Sequence, residues 1–342
     1  PAPRQVRKAE RAMLKAIELA AEGAPSTPAY ILDTAALTRN AERICALARD
    51  LGLTVLLSIG DLPDPVLSHM AEWAGGASAR TLAEARLGRR ILGGAVFLNT
   101  AGCRREDIPE ILACCSHVSL RSQEQARRHR PALQARGVQL GLTVPPQELP
   151  ALLRAGFSSL LESGVRGLRL AFPPTAAREI LRFLEDRGEA LGRFPGWLNL
   201  GQAFPLLDGE RAAYDAEMLR EIRKVWDGAI FLETGQEAAR GAMYLTCTVL
   251  DVLPGPPATA ILDAAAPFPK PGRPGVLGAG YPGEKPYNLR LVGITGSQWD
   301  VFGDYSFDRP LHPGQRLVMT DMAPFAAASE RSGSPAPFIE AG

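Results

Sequence analysis

AYILDTAALTRNAERICALARDLGLTVLLSI, residues 29–59, sets the expected architecture. Its two ends, Ala29–Asp33 and Thr54–Ile59, are short apolar runs of the kind that form buried strands. Between them, Thr34–Leu51 repeats apolar side chains at helical spacing. The stretch therefore predicts a strand, a helix and a second strand in succession.

The same alternation continues along the chain, with helical patterns between most of the apolar runs. Further predicted strands are Ala95–Asn99, His117–Leu120, Gln139–Thr143, Gly167–Leu170, Trp197–Leu200 and Ala229–Glu233. About eight short strands alternating with helices favour an α/β fold built as a (β/α)8 barrel. A doubly wound parallel sheet is the main alternative, because periodicity does not distinguish the two.

The composition and the pattern of apolar residues change at both ends of this region. Residues 6–22 predict an amphipathic helix, and we assign residues 1–26 to an N-terminal helical extension. The barrel is expected over residues 27–235. After about residue 235 proline and glycine become dense and strand patterns replace helical ones, so residues 236–342 predict a separate β domain.

Composition excludes several classes of protein. Apolar residues make up 46% of the 342 positions and charged residues 22%, which is ordinary for a globular protein. The net charge of +1 implies no basic surface for phosphates, so we expect no nucleic acid partner. No apolar run approaches the length of a membrane span, and no membrane association is expected.

Cysteine and histidine give no sign of a disulfide framework or a metal site. The five cysteines include no CxxC pair, and the four histidines are scattered without HxH or HExxH spacing. We therefore expect no metal, and a reduced, cytoplasmic setting.

A set of ordered motifs connects this chain to a known family. The run GAGYPGEKPYNLRLVGITGSQWDVFGDYSFDRP, residues 278–310, resembles the corresponding segment of the carboxynorspermidine/carboxyspermidine decarboxylases. Earlier landmarks follow in the same order: TPAYILDTAAL from Thr27, ARTLAEARLG from Ala79, WLNLG from Trp197, LETG from Leu232 and DMA from Asp321. The resemblance implies an alanine-racemase-like barrel, a C-terminal β domain, and a dimer with active sites at the subunit interface. It also implies pyridoxal phosphate (PLP), the cofactor of fold-type III decarboxylases.

The lysine that this cofactor needs is missing. In the family a lysine ends the second strand, in a motif like LLALKAF, and its amine forms a Schiff base with the cofactor. Here the stretch is LLSIGD, with Gly60 at the lysine position and no lysine within thirty residues on either side. Gly60 offers no chemistry and fits a tight turn between a strand and a helix.

Other cofactor and substrate contacts of the family are also changed. Its HFH motif corresponds to Arg169-Leu170-Ala171, and Ala171 cannot stack on a ring, although Arg169 could bind an anion. Its glycine-rich phosphate turn, like LGGGHH, retains Gly201 but replaces two glycines with Gln202 and Ala203, whose side chains crowd the cradle.

Two further positions lie in the C-terminal part of the chain. A tyrosine that binds the phosphate in the family corresponds to Phe325, which lacks the hydroxyl group. A cysteine supplied across the dimer corresponds to Gly296. Glu233, which matches the acid that pairs with the pyridine nitrogen, remains, as do Gly235 and Asp300.

These losses, beside intact framework motifs, predict a degenerate homologue that does not bind PLP covalently. The first hypothesis is a pseudoenzyme that acts as a dimeric partner, regulator or scaffold, either as a homodimer or with an active paralogue. The alternative is an enzyme with repurposed, PLP-independent chemistry on an amino-acid- or polyamine-like substrate in a specialised biosynthetic pathway, or a binder of such a small molecule in the barrel mouth. Candidate catalytic groups are Glu233, Asp300, Arg169, Asp61 and Lys270.

Overall fold

A computed structural model describes residues 26–148, 151–152, 158–173, 176–186, 196–207, 209–332 and 336–341. The described strands, in chain order, are β1 (Ala29–Asp33), β2 (Leu53–Ser58), β3 (Gly76–Ala79), β4 (Ala95–Asn99), β5 (His117–Leu120), β6 (Gln139–Val144), β7 (Gly167–Leu170), β8 (Trp197–Asn199), β9 (Ala229–Thr234), β10 (Met243–Leu253), β11 (Ala258–Leu262), β12 (Gly275–Val276), β13 (Tyr287–Val292), β14 (Val301–Phe307), β15 (Arg316–Thr320) and β16 (Phe338–Ala341). The described helices are α1 (Thr34–Asp50), α2 (Asp64–Met70), α3 (Leu82–Leu92), α4 (Ile108–Cys114), α5 (Gln123–Gln134), α6 (Ser158–Glu162), α7 (Ala177–Asp186), α8 (Gly209–Val225) and α9 (Ala323–Ser332). The helix predicted over residues 6–22 lies outside the described residues.

Strands β2 to β9 form a closed parallel barrel, which confirms the predicted fold class. Each strand pairs with the next along the chain, and β2 pairs with β9, with Leu56 opposite Glu233, to close the ring. A closed ring of parallel strands brings all eight carboxyl ends to one face of the barrel. That face positions the candidate site.

Aromatic side chains fill the barrel below this face. Phe97, Trp197 and Phe231 pack together with Leu56, and Phe97 lies edge-on to Trp197 with ring centroids 5.3 Å apart. Glycine on β6 and β7 makes room for the indole, since a Cβ on Gly167 would lie 2.0 Å from the Trp197 ring.

The remaining strands form a second, eight-stranded sheet with the order β12-β15-β10-β11-β13-β14, to which β1 and β16 are added. The described chain divides into two compact units. The first, called here the barrel unit, consists of Asn40–Gly60 and Leu67–Ala238. The second unit contains Asp61–Val66, the residues from Ala239 onward and the described residues up to Arg39.

The first predicted strand is not part of the barrel. We assigned Ala29–Asp33 to the barrel region of residues 27–235, but β1 pairs antiparallel with β10 and parallel with β16. All five of its residues are buried. Because β2 and β9 already close the barrel, no barrel edge remains for β1, and its apolar side chains are buried in the second sheet instead.

None of the helices in the described part of the chain has the length and apolar character that a membrane crossing requires.

Candidate functional site

Each of the eight barrel strands carries a polar side chain at its last or next-to-last position, and these side chains face the barrel interior. Side chains alternate along a strand, so Asn99, Asn199 and Glu233 face inward like the buried aromatic residues two positions before them. Hydrogen bonds across the barrel support this assignment, because the amides of Asn99 and Asn199 both reach Glu233. The set, called here the polar ring, consists of Ser58, Ser78, Asn99, Ser119, Thr143, Arg169, Asn199 and Glu233.

Glu233 is the centre of the polar ring. Arg169 donates to it in a bidentate pair, with Nε 2.8 Å from Oε1 and Nη2 2.8 Å from Oε2. Asn99 and Asn199 each donate an amide N–H to Oε1, at 3.0 and 2.9 Å. The Glu233 side chain is only 2% exposed, so its charge is neutralised by protein groups rather than by water.

Arg169 holds its proton more tightly than a free arginine does. Burial lowers the pKa of Arg169, but the hydrogen bonds to Glu233 and the charge of that carboxylate outweigh burial and raise it. A bidentate guanidinium–carboxylate pair is among the stronger side-chain interactions. Arg169 is therefore not placed to act as a general acid or base near neutral pH.

The turn after β8 contains the residues that the sequence motifs matched to the family's phosphate cradle, Gly201, Gln202 and Ala203. Gly201 has a φ of +59°, and its N–H donates to Asn199 Oδ1 at 2.9 Å. Its carbonyl accepts from the N–H of Glu233 at 3.0 Å. Gln202 donates from its side-chain amide to Ser58 Oγ at 2.8 Å, and Ala203 is fully buried. The Gly201 N–H is therefore already engaged, and the Ala203 side chain is buried in the turn, whereas Gln202 is exposed and reaches Ser58.

Gly60 lies at the end of β2, in a short 3-10 helix over Ile59–Asp61. A Cβ built on Gly60 would lie 1.7 Å from Nη2 of Arg80 and 2.6 Å from its Cζ. The Arg80 guanidinium therefore occupies the space that a side chain at position 60 would enter. The Arg80 side chain is 59% exposed, and its Nε lies 3.8 Å from Glu84 Oε2.

Two more positions of the predicted pocket lie at barrel strand ends. Ala171 directly follows β7 and is half-buried, and its N–H donates to the Val144 carbonyl at 3.0 Å. Gly235 follows β9 and is buried, and its carbonyl accepts from the N–H of Ala238. Ala171 and Gly235 each form a backbone hydrogen bond at the end of a barrel strand.

Asp300 is a loop-forming residue in the second unit. Its carboxylate accepts from the N–H groups of Ala266 and Thr295 at 2.7 and 2.9 Å and from the Thr295 hydroxyl at 2.6 Å. These bonds organise the turn around Gly293, whose Cβ would clash with the carboxylate. Gly296 lies in the same loop, is exposed and has a φ of +70°, where a side chain would be strained.

The other candidates from the sequence also belong to the second unit. Lys270 donates to the backbone carbonyls of Val301 and Phe302 at 2.9 and 3.2 Å. Phe325 is buried, 4% exposed, in α9. Asp61 is half-buried at the end of the 3-10 helix that contains Gly60. Of the five candidate catalytic groups, the structure brings only Arg169 and Glu233 into contact with each other.

Sequence reasoning missed most of the polar ring and the residue beside Gly60. Ser58, Asn99 and Asn199 lie at or next to the last residue of a predicted strand, and Arg80 lies near the start of the motif from Ala79, but none of them was singled out. A polar residue at the last inward position of every strand was the available signal. It becomes visible only when the eight strands are aligned by their inward face.

His117 is a further, half-buried group that the sequence did not indicate. It stacks on Phe97, with ring centroids 3.9 Å apart and an interplanar angle of 7°, and its Nδ1 lies 2.9 Å from Ser116 Oγ. Burial lowers the pKa of His117 to about 4, so the ring is neutral at physiological pH. It belongs to the aromatic core beneath the polar ring. Within the described residues, no three His, Cys, Asp or Glu side chains are arranged as metal ligands would be.

The closed barrel followed by a separate sheet is the fold of the fold-type III decarboxylases. The carboxynorspermidine decarboxylase of Campylobacter jejuni, solved in complex with norspermidine, superposes with a TM-score of 0.73 at 21% identity and covers 86% of this chain and 88% of its own. The lysine decarboxylase of Selenomonas ruminantium gives a TM-score of 0.74 at 17% identity, with 95% of each chain covered.

Curated relatives give the same relationship from the sequence. No family model matches the chain. The carboxyaminopropylagmatine decarboxylase of Synechocystis sp. is 28% identical over 330 residues, which span 86% of this chain and 84% of the relative. The carboxynorspermidine/carboxyspermidine decarboxylase of Campylobacter jejuni is 23% identical over 334 residues, 86% of this chain and 87% of the relative. The chain is a homologue of carboxynorspermidine decarboxylase and related decarboxylases, which confirms the resemblance noted in its motifs.

The residues present do not fit a PLP group held as the family motifs imply. The lysines of the chain are Lys8, Lys15, Lys224, Lys270 and Lys285. Among the lysines in the described part of the chain, only Lys224 belongs to the barrel unit, where it lies on α8 and pairs with Glu221 at 2.6 Å. Glu233, the acid expected to meet the ring nitrogen, is already paired with Arg169.

Proposed function

We propose that this protein is a pseudoenzyme of the carboxynorspermidine decarboxylase type, which forms no Schiff base with PLP and acts as a dimeric partner, regulator or scaffold. The observation that carries the proposal is the buried bidentate pair between Arg169 and Glu233. It places a protein cation against the carboxylate that would otherwise hold the cofactor ring.

Energetics support this proposal. For a ring nitrogen to pair with Glu233, the Arg169 guanidinium would have to leave its partner. Breaking a buried ion pair leaves an uncompensated charge and costs about 3–5 kcal/mol. The loss of the phosphate contacts adds about 1–3 kcal/mol for each missing hydrogen bond. Together these costs would weaken a tight cofactor site by several orders of magnitude.

The test is spectroscopic. The purified full-length protein, mixed with stoichiometric PLP, should show no visible absorbance band of a Schiff base, and borohydride reduction should attach no pyridoxyl group to any lysine. A lysine-bearing homologue treated in parallel provides the positive control. A stable yellow complex, with reduction labelling Lys270 or Lys285, would show that the Schiff base has moved rather than been lost.

A restored lysine tests whether one substitution explains the loss. Gly60→Lys would place a side chain on the Arg80 guanidinium, so the matched variant combines it with Arg80→Ala. We expect neither variant to decarboxylate carboxynorspermidine, because the Arg169–Glu233 pair and the altered Gly201 turn remain. Measurable carbon dioxide release by either variant would contradict this part of the proposal.

A partner role is supported by the distribution of exposed apolar side chains. Among the described residues, every large hydrophobic side chain that is exposed lies between positions 250 and 299, in the second unit. They are Leu250, Leu253, Phe268, Tyr281, Tyr287, Ile294 and Trp299. Two of them, Phe268 and Trp299, are neighbours with ring centroids 5.5 Å apart, and contiguous exposed apolar groups are typical of a protein–protein surface. We propose that a second copy of this chain, or a lysine-bearing paralogue, binds there.

In this partnership the chain would regulate an active paralogue rather than supply a residue to its active site. In the family, the cysteine at the position of Gly296 is donated across the dimer. Gly296 carries no side chain and lies at a φ of +70°. This chain therefore has no such group to donate, and its effect on an active paralogue would have to arise through contact at the interface.

A further inference from the structure

The second unit contains a cleft of about 430 Å³ that is lined by one cationic side chain, one anionic side chain and two tyrosine rings. The cation is Arg273, the anion is Glu284, and the rings are those of Tyr281 and Tyr305. A concave site of this size, with a few polar groups among apolar and aromatic side chains, is typical of a small-molecule site. No residue that lines the cleft belongs to the polar ring or to the turn after β8, so the cleft is independent of the proposed function.

The Arg273 guanidinium is held against aromatic rings. Its Cζ lies 4.2 Å from the centroid of the Tyr305 ring and 4.7 Å from that of Tyr281. The Tyr305 ring is itself fixed, because the residue is 2% exposed and its hydroxyl donates to the Pro274 carbonyl at 2.7 Å. A guanidinium that packs on aromatic rings still carries five N–H donors in its own plane, in a geometry that suits a carboxylate.

No carboxylate within the described residues forms a hydrogen bond or an ion pair with Arg273. The pKa of Asp304 is lowered first by its hydrogen bonds with Arg290 and further by nearby charges that include Arg273. However, the Asp304 carboxylate is engaged by Arg290, at 2.8 and 3.1 Å. Burial raises the pKa of Tyr305 to about 12, so its hydroxyl is neutral. The donors of Arg273 therefore remain available to an anion from outside the chain.

The anionic side chain of the cleft, Glu284, also lacks an ion-pair partner in the described part of the chain. Its Oε2 accepts from the backbone N–H of Tyr281 at 2.7 Å. The adjacent Lys285 is paired with Asp308 at 2.6 Å. Tyr281 therefore contacts both charged groups, because its ring lies beside Arg273 and its N–H binds Glu284.

We infer that this cleft binds a free α-amino acid. The carboxylate of the ligand would accept from Arg273, and its ammonium group would donate to Glu284. A ligand with one of these charges would leave the other side chain of the cleft unpaired, and a phosphate would be repelled by Glu284. The Tyr281 ring is 67% exposed and favours an aromatic side chain on the ligand, since aromatic pairs attract each other beyond the area that they bury.

Three molecules with the same side chain and different charges test this inference. L-phenylalanine carries both charges, N-acetyl-L-phenylalanine lacks the ammonium group, and L-phenylalaninamide lacks the carboxylate. Each is titrated against the full-length protein by ligand-observed NMR. We expect L-phenylalanine to bind with a Kd of about 1 mM or tighter, and each analogue to bind about tenfold more weakly. Binding of either analogue as tightly as L-phenylalanine, or binding of none of the three, would overturn the inference.

Variants assign each charge of the ligand to its partner. In Arg273→Gln the carboxylate has no cation to meet, so the preference for L-phenylalanine over its amide should disappear. In Glu284→Gln the preference for L-phenylalanine over its N-acetyl form should disappear. Arg309→Gln is the control, since Arg309 is an exposed cation of the same unit that does not line the cleft, and it should leave all three affinities unchanged. Circular dichroism checks that each variant is folded. Folded variants that keep both preferences would place the amino acid elsewhere and overturn the assignment.

Discussion

The carboxylate of Glu233 receives four hydrogen bonds inside the barrel, two from Arg169 and one each from Asn99 and Asn199. An acid at this position in a cofactor enzyme must keep an oxygen available for the cofactor. Here the carboxylate is the partner of a cationic side chain, Arg169, which lies 64 positions earlier on β7.

Single substitutions of this pair should destabilise the protein strongly. Arg169→Met leaves the Glu233 charge buried, and Glu233→Gln leaves the Arg169 charge without its counter-ion. Each should lower the free energy of unfolding by about 3–5 kcal/mol, measured by urea titration. The control is Arg127→Met, which removes an exposed pair with Glu124 and should cost less than about 1 kcal/mol.

The double variant separates the pair from its surroundings. Arg169→Met combined with Glu233→Gln removes both charges, so it should be more stable than the sum of the two single losses implies. Strict additivity, or single losses no larger than that of Arg127→Met, would mean that the two charges do not stabilise each other in the folded protein.

At the scale of elements, the barrel is filled by an indole that two strands accommodate through glycine. Trp197 begins β8, and its ring covers the positions where Gly141 on β6 and Gly167 on β7 would carry a Cβ. The layer above is the polar ring, so the height of this packed floor determines the depth of the mouth. The strand register therefore matters to the site because it decides which side chains pack directly beneath the polar ring.

Gly167→Ala should test this packing. The added methyl group would meet the Trp197 ring at 2.0 Å, and overpacking of this kind costs about 1–3 kcal/mol. Thermal unfolding of the variant should show the loss. Gly102→Ala is the control, since its Cβ would meet only the end of the flexible Gln125 side chain.

The same substitution in a variant that lacks the indole tests whether the indole causes the loss of stability. In Trp197→Leu, where the indole is absent, Gly167→Ala should cost much less than in the original protein. If the cost is the same in both backgrounds, the strain arises from the backbone of β7 and not from the indole.

At the scale of the whole molecule, association with another chain is the property that the proposed function requires. The exposed apolar side chains of the second unit include Phe268 and Trp299, whose rings lie 5.5 Å apart and are 68% and 59% exposed. Burying such rings on association removes apolar surface from water and stabilises a complex.

Light scattering at micromolar concentration should give the mass of a dimer. The double variant Phe268→Ser, Trp299→Ser should shift the population toward monomer, because both side chains are exposed and their loss leaves the fold intact. Lys224→Ala, an exposed change on α8, should leave the mass unaltered. A monomeric protein that also fails to bind a lysine-bearing paralogue would contradict the partner role.

Much of the barrel could be predicted from local patterns. Apolar runs separated by helical periodicity indicated each of the barrel strands from β4 to β9, and the motifs around Trp197 and Leu232 indicated the decarboxylase relationship. The absence of a lysine at Gly60 was also visible, because it depends on one position in one motif. Such features depend on residues that are close together in the sequence, so they can be recognised without the tertiary structure.

Only the tertiary structure decided which strands and side chains meet. Ala29–Asp33 has the same apolar pattern as a barrel strand, yet closure of the barrel by β2 and β9 leaves it to pair with β10 and β16. Likewise, the side chain of Arg80 lies over Gly60, and Arg169 reaches Glu233 across the barrel mouth. Local sequence determines the type of each element and its inward face. Closure of the ring determines which distant side chains become neighbours, since that depends on the register of all eight strands together.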